Sequence, residues 1–154
     1  MKYGFTLIEL LVVSGITLLL VAAAFPIYSN LQVSSQLNEG AAQLIQNLRL
    51  MRTMSAARLH NIPHGIYFDS NPTGPDRYVV FQGTSYAARE QGYDRVVQLD
   101  SAISLAPSLT QGSQEIVFSN TFALPSATGT VILTHSVSGA RTLSINGAGK
   151  AEYE

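Results

Sequence analysis

The chain has 154 residues, of which 46% are hydrophobic and only 12% are charged, whereas about 25% of the residues of an average soluble domain are charged. Nine basic residues against ten acidic residues give a formal net charge of −1, so the composition provides no global attraction to nucleic acid or to anionic lipid. The absence of cysteine excludes a disulfide framework and a thiolate metal site, and the length leaves room for one folded head plus a terminal helix.

The N-terminal region from Phe5 to Tyr28 is almost continuously apolar. A helix needs roughly 20 residues, at about 1.5 Å of rise each, to cross the hydrocarbon core of a bilayer, and this region is long enough to do so. Its single charged residue is Glu9. Because a carboxylate at the centre of a membrane helix costs about 2.5–3.5 kcal/mol on insertion scales, we expect Glu9 to have a partner or a function.

Two ordinary targeting signals compete for this region. In a secretory signal peptide, Lys2 would be the basic end, residues 10–21 the apolar stretch and residues 22–24 the cleavage site, which would release a soluble protein beginning at Phe25. Glu9 at the start of the apolar stretch argues against that interpretation. In an uncleaved signal anchor, Lys2 would stay in the cytoplasm and the head would lie outside, but the position of Glu9 would have no explanation.

A third interpretation rests on a resemblance. The sequence Gly4-Phe5-Thr6-Leu7-Ile8-Glu9 resembles the prepilin processing motif of the type IV pilin superfamily. The resemblance implies that a prepilin peptidase cuts between Gly4 and Phe5 and methylates the new N-terminus of Phe5. It also implies that Glu9 pairs with the free terminal amine of a neighbouring subunit during assembly, and that Pro26 takes the place of the helix-distorting proline of pilins.

The resemblance also names the expected partners. They are other pilin or pseudopilin subunits, the prepilin peptidase, an assembly platform in the inner membrane, and membrane lipid before assembly. No cofactor is implied. The expected location is the inner membrane, with a single pass and an extracytoplasmic head, followed by a filament on the cell surface or in the periplasm.

Beyond Pro26 the hydrophobic pattern becomes one-sided and predicts an amphipathic helix that covers the head. Asn61 and Pro63 predict that this helix ends between Leu59 and Ile62. Pro26 predicts a kink or a melted turn within the long helix. The residues of the predicted buried face are Leu37, Ala41, Leu44, Leu48, Met51 and Ser55, with Ile45 beside them. The residues placed on the other faces are Gln43, Gln46, Asn47, Arg49 and Arg52.

The remainder of the chain predicts short strands separated by turn residues, and therefore antiparallel hairpins. The predicted strands are 65–68, 77–82, 95–100, 115–119, 130–135, 141–146 and 149–153, with a turn at 137–139 and no assignment for 101–113. The predicted fold is α+β, with a long N-terminal helix packed on an antiparallel, strand-rich head. The predicted organisation is a leader peptide (1–4), a transmembrane segment (5–28), an amphipathic segment (29–60) and a globular head (61–154).

The ending at residues 141–147, after a long helix and a strand-rich head, resembles the minor pilins, a branch that includes the H-type pseudopilins of type II secretion and the T-type fimbrial pilins. The predicted function is therefore that of a structural subunit of a type IV pilus or of a secretion pseudopilus, most like a minor subunit and without enzymatic activity. A major pilin that forms the filament shaft, and a DNA-binding minor pilin that acts in DNA uptake, remain as alternatives.

The head offers no pattern of catalytic residues. His60 and His64 are four residues apart, but Pro63 between them argues against a helical pair of metal ligands, and no metal site is predicted. Asp69 and Asp76 form a pair of carboxylates that nothing in the sequence places in a cleft. The loop that begins at Asp69 matches positions 1, 3, 5 and 6 of a calcium loop, with oxygen ligands at Asp69, Asn71 and Thr73 and the turn glycine at Gly74. Val80 stands where a bidentate glutamate is needed, so a hairpin turn is the simpler interpretation.

One loop has the composition of a single-stranded nucleic-acid contact. Tyr86, Arg89, Tyr93 and Arg95 alternate aromatic rings with guanidinium groups, which can stack on bases and contact phosphates. From Leu59 onward, however, five basic residues face eight acidic ones. Contact with DNA therefore competes with the interpretation that these tyrosines pack on the head or on a neighbouring subunit.

Overall fold

The N-terminal helix dominates the structure. The computed structural model describes residues 4–71 and 74–153, except for the side chains of residues 23–32 within the helix. Helix α1 extends over Leu7–Ala56, about 75 Å at 1.5 Å of rise per residue. It continues through position 26 as a single element, so the predicted melted turn is absent there, and the side chain of Pro26 lies outside the described residues.

The end of α1 is set by a change of backbone conformation ahead of Pro63. The amide of Ala57 still donates to the carbonyl of Thr53 (2.9 Å), and then Arg58 adopts the left-handed conformation with φ of 50°. A left-handed residue is a common way for a helix to stop. The short 3₁₀ helix Leu59–Asn61 follows. The α-helix therefore ends at Ala56, a few residues before the predicted position.

In the described part of the chain, eight strands follow the helix, and they include all seven of the predicted ones. Their bounds are β1 (His64–Asp69), β2 (Arg77–Gln82), β3 (Arg95–Gln98), β4 (Ile103–Leu109), β5 (Glu115–Phe118), β6 (Gly129–His135), β7 (Gly139–Ile145) and β8 (Ala151–Tyr153). The predicted turn joins β6 to β7, where His135 faces Gly139 in the ladder. Two further 3₁₀ helices cover Gln91–Tyr93 and Thr110–Gly112.

Strand β4 was not predicted from the sequence. Pro107 lies within it, and a proline cannot donate a hydrogen bond to a neighbouring strand. The structure places β4 at an edge of its sheet, where a proline is tolerated, and pairs it with β6 along its whole length, from Ile103 opposite His135 to Leu109 opposite Gly129. This long-range pairing makes 103–109 a strand.

The strands form two antiparallel sheets of four strands each. The first sheet has the order β3-β2-β1-β5 and the second has the order β4-β6-β7-β8. Helix α1 packs on strands of both sheets, so the fold is α+β as predicted. The predicted buried face of α1 is confirmed, and its side chains form one core with those of the strands; it consists of Leu37, Ala41, Leu44, Ile45, Leu48, Met51 and Ser55.

One polar residue of α1 is placed differently from the prediction. Asn47, expected on an exposed face, is only 5% exposed. Its side-chain amide donates to the hydroxyl of Tyr78 on β2 at 2.7 Å, and its side-chain oxygen accepts a hydrogen bond from Arg95 on β3. A buried amide is stable only when its hydrogen bonds are satisfied, and these two partners supply them from the first sheet.

Candidate functional site

The N-terminal end of α1 leaves the predicted cleavage bond open to solvent. Gly4 precedes the helix in irregular backbone, and among the described residues no heavy atom beyond its chain neighbours lies within 4 Å of where a Cβ of residue 4 would be. Phe5 is 82% exposed. Because a protease needs exposed backbone outside regular structure, the bond between Gly4 and Phe5 has the accessibility that cleavage requires.

Glu9 lies in the first turn of α1. Thr6 is the N-cap of the helix, and its hydroxyl oxygen accepts a hydrogen bond from the backbone N–H of Glu9 at 3.3 Å. Threonine at the N-cap with glutamate three residues later is the capping-box pattern, which the sequence carries at residues 6–9. A carboxylate in the first turn is also favoured by the helix dipole, by about 0.3–1 kcal/mol at an exposed position. The charge of Glu9 therefore has a local stabilising role in addition to the assembly role predicted for it.

The helix beyond Glu9 exposes a continuous apolar surface. Eleven large apolar side chains are more than half exposed between Leu7 and Val21; they are Leu7, Ile8, Leu10, Leu11, Val12, Val13, Ile16, Leu18, Leu19, Leu20 and Val21. The hydroxyl of Ser14 donates to the carbonyl of Leu11 (3.0 Å), and that of Thr17 donates to the carbonyl of Val13 (2.7 Å). The polar groups of the segment are thus satisfied within the helix, and its surface suits an apolar environment or packing against other helices.

Within the described residues, no helix combines the length and the hydropathy that a membrane span requires.

A comparison with known families identifies this N-terminal region. The family model described as the Prokaryotic N-terminal methylation motif matches residues 1–25. The chain carries the prepilin-type motif of the type IV pilin superfamily. The motif points to a structural subunit that assembles with other pilin subunits, and it implies a membrane-anchored N-terminal segment. No curated protein and no solved structure matches the chain.

In the head of this pilin-like chain, the loop considered for DNA contact is held by internal contacts. The ring of Tyr86 stacks on that of Tyr67, with centroids 3.9 Å apart, and the guanidinium of Arg89 lies over the Tyr86 ring at 3.7 Å. Arg89 donates from Nε to Asp94 at 2.7 Å, and this hydrogen bond raises the pKa of Arg89. The backbone N–H of Tyr86 donates to a carboxylate oxygen of Glu115 at 2.6 Å. Stacking partners cover the Tyr86 ring, which favours the interpretation that this loop packs on the head.

Tyr93 and Arg95, the other two residues of the predicted DNA contact, lie beside a cavity of about 220 Å³ between α1, β2 and the 3₁₀ helices. Tyr93 is exposed, and its ring lies 5.9 Å from the ring of His60. Arg95 donates to Asn47. His64 lines the same cavity, so the structure brings together the two histidines that Pro63 separates in the sequence. Burial and the nearby His60 lower the pKa of His64, whereas the backbone of Ile62 acts to raise it.

The loop considered for calcium is a connection between β1 and β2. Asp69 accepts a hydrogen bond from Nε of Arg77 at 2.7 Å, and the carboxylate raises the pKa of that guanidinium. Asp76 accepts from the backbone N–H of Asn71 (2.7 Å) and of Leu105 (2.6 Å), and so ties this loop to β4. Thr73 lies outside the described residues. The two carboxylates thus serve as structural acceptors, which favours the hairpin interpretation over a calcium loop.

Proposed function

We propose that this chain is a structural subunit of a type IV pilus or of a type II secretion pseudopilus, most like the minor pilins and H-type pseudopilins. A prepilin peptidase cleaves it between Gly4 and Phe5 and methylates Phe5. The observation that carries the proposal is the methylation motif on an exposed bond directly ahead of a helix with an apolar surface. Residues 1–4 are then the leader, and residues 5–28 are held in the membrane before assembly, with the head at 61–154 on the extracytoplasmic side.

Assembly would place the apolar part of α1 among the helices of neighbouring subunits. The carboxylate of Glu9 then meets the terminal amine of Phe5 of a neighbour, so each new subunit neutralises a charge that is costly in an apolar environment. Pro26 lies within the same assembled segment of the helix. The strand-rich head stays outside this helical core and forms the surface of the filament.

Mass spectrometry of the mature N-terminus tests the processing step. The expected result is N-methylated Phe5 in the wild-type protein and an unprocessed chain for Gly4→Leu. A mature protein that begins at Phe25 would show that the region is a secretory signal peptide, and one that keeps Met1 and remains in the membrane would show that it is a plain anchor. Either result would contradict the proposal.

Two substitutions separate the assembly role of Glu9 from its capping role. Glu9→Gln keeps a side chain that completes a capping box but removes the charge, so we expect normal processing and loss of incorporation into filaments. Thr6→Ala removes the cap hydroxyl, which costs about 1 kcal/mol of helix stability, and should leave incorporation nearly unchanged. Wild-type incorporation of Glu9→Gln would show that charge pairing is not what Glu9 contributes.

The subunit's abundance distinguishes a minor subunit from a major one. We expect purified filaments to contain far fewer copies of this chain than of the principal subunit. If this chain formed most of the filament mass, it would be a major pilin that builds the shaft.

A further inference from the structure

The cavity of about 220 Å³ beside Tyr93 and Arg95, which we call the histidine cavity, has a polar lining without a carboxylate from any described residue. Its polar lining residues are His60, His64, Gln82, Tyr93 and Arg95. The carboxylates closest to Arg95 in the chain lie elsewhere. Glu90 is exposed and does not line the cavity, and Asp94 pairs with Arg89 at 2.7 Å. The cavity therefore has a positive charge with no counter-charge of its own.

Arg95 supplies that positive charge. One N–H of its guanidinium donates to the side-chain oxygen of Asn47. Within residues 4–71 and 74–153, Arg95 forms no ion pair. A guanidinium carries five N–H donors in a planar fork whose geometry matches a carboxylate. The remaining donors of Arg95 therefore favour an acidic group as the ligand of this cavity.

His64 provides a second, independent observation. The residue is only 4% exposed, and its Nδ1 has no hydrogen-bond partner among the described residues. Its backbone N–H, in contrast, donates to the hydroxyl of Ser55 at 3.0 Å, so the backbone is satisfied and the ring is not. Buried polar atoms are nearly always hydrogen-bonded, and a ring nitrogen that carries the proton is a donor. A carboxylate oxygen is an acceptor of the kind that the His64 ring lacks.

The mouth of the histidine cavity is apolar. Leu50, Leu59 and Tyr93 line it and are all exposed. A small molecule inside the cavity would leave these three side chains in contact with water, whereas a protein surface would cover them. Exposed apolar patches rimmed by polar residues mark interaction sites, and aromatic and arginine side chains are enriched at protein interfaces. The rim therefore favours a protein segment as the occupant.

We propose that the histidine cavity receives the side chain of an aspartate or glutamate from a filament subunit of a different kind, whose adjacent apolar residues cover the rim. The carboxylate pairs with the remaining donors of Arg95 and supplies the acceptor for the His64 ring. A cavity of about 150 Å³ holds benzene, and a glutamate side chain has fewer heavy atoms than benzene, so the observed volume accommodates it. The contact rests on the proposed function, and it joins unlike subunits because a minor subunit is surrounded by other chains.

Photo-cross-linking in assembled filaments tests the contact. p-Benzoylphenylalanine in place of Gln91 puts the cross-linker on the 3₁₀ helix that carries Tyr93, outside the cavity lining. We expect an adduct between this chain and one other pilin subunit, and mass spectrometry should place it in a peptide that contains aspartate or glutamate. The same cross-linker in place of Val137, at the exposed turn between β6 and β7, should not give this adduct.

Charge reversal then identifies the carboxylate. In the Gln91 cross-linker background, Arg95→Glu should lower the adduct yield at least about tenfold, because like charges facing each other across an interface repel. Arg52→Glu is the matched control, since it changes the net charge equally at a residue outside the cavity, and it should leave the yield unchanged. Replacing the acidic residue of the captured peptide by arginine should restore the adduct of the Arg95→Glu chain. Such a rescue requires a folded Arg95→Glu chain and so excludes misfolding as the cause of the loss.

Several results would overturn this contact while leaving the proposed function intact. They are an incorporated wild-type chain without the adduct, a second copy of this chain as the captured partner, equal yields for Arg95→Glu and Arg52→Glu, and failure of every acidic residue in the captured peptide to give the rescue. A wild-type chain that is neither cleaved ahead of Phe5 nor incorporated into filaments would instead refute the proposed function.

Discussion

The buried hydrogen bond between Asn47 and Tyr78 provides a quantitative test of how α1 is attached to the head. Tyr78 is fully buried, and its hydroxyl takes the amide hydrogen of Asn47 at 2.7 Å. In Asn47→Leu the Tyr78 hydroxyl is left buried without this partner, which costs about 1–3 kcal/mol, and the hydrogen bond from Arg95 is also lost. We expect a total destabilisation of about 2 kcal/mol.

The partner substitution Tyr78→Phe leaves the Asn47 amide unpaired and should cost about 1–2 kcal/mol. Each single variant breaks the same hydrogen bond, so the double variant loses that bond only once. Its loss of unfolding free energy should therefore be smaller than the sum of the two single losses, by about 1 kcal/mol or more. Urea unfolding of the full chain in detergent, followed by far-ultraviolet circular dichroism, measures the three free energies of unfolding. Strictly additive effects, or a loss below about 0.5 kcal/mol for Asn47→Leu, would refute the reasoning.

The same pair has a spectroscopic readout that does not depend on unfolding. Burial raises the pKa of Tyr78, while the hydrogen bond from Asn47 and the charge of Arg95 lower it because they favour the phenolate. Asn47→Leu removes one of these opposing effects, so the phenolate of Tyr78 should appear at a higher pH in an absorbance titration. An unchanged or lower titration midpoint would contradict the assigned hydrogen bond.

Three further predictions follow from the head. Gly129 has φ of +143°, and a Cβ there would lie 2.2 Å from the carbonyl oxygen of Ser108, so Gly129→Ala should destabilise the chain by about 3 kcal/mol in the same urea assay. Arg89 and Arg77 each place Nε 2.7 Å from a carboxylate, but the Arg89 side chain is the more buried of the two. Arg89→Ala should therefore lower the melting temperature more than Arg77→Ala does. A smaller effect of Arg89→Ala on the melting temperature, together with weakened DNA binding in gel shifts, would favour the DNA interpretation. The lowered pKa keeps His64 neutral in the folded chain while the unfolded chain binds a proton, so stability should fall as the pH drops below about 6.5, and His64→Gln should flatten that slope.

Residue patterns predicted the elements whose signals are local. The buried face of α1 followed from apolar residues three and four positions apart, and the first strand pairs followed from short β-branched and aromatic runs separated by turns. Strand β4 has a weaker pattern, because small and polar residues and Pro107 alternate with its three buried side chains. Its pairing with β6, whose paired residues lie 20 to 32 positions later in the chain (Leu109 with Gly129, Ile103 with His135), supplies what the local pattern lacks.

Some residues of the candidate site can be recognised from the sequence, and the role of others is shown only by their packing. Gly4, Phe5 and Glu9 are recognisable from the sequence because the methylation motif and the first turn of α1 both lie in a short, contiguous segment. The sequence also contained the capping box at Thr6 and Glu9, which the charge of Glu9 alone did not suggest. In contrast, Tyr86 and Arg89 have the composition of a nucleic-acid contact, and only their packing against Tyr67 and Asp94 shows them engaged within the head.

The sequence by itself determined that the chain carries a prepilin-type motif and an apolar helix, followed by an antiparallel, strand-rich head. These features can be recognised because the motif, the backbone propensities and the hydrophobic period each depend on residues that are close together in the chain. Only the tertiary structure decided which polar groups are buried and which distant residues meet. Asn47 meets Tyr78, and His64 comes to line a cavity beside Tyr93 and Arg95, because two sheets pack on one helix. Such contacts join residues that are distant in the chain, and no local pattern specifies them.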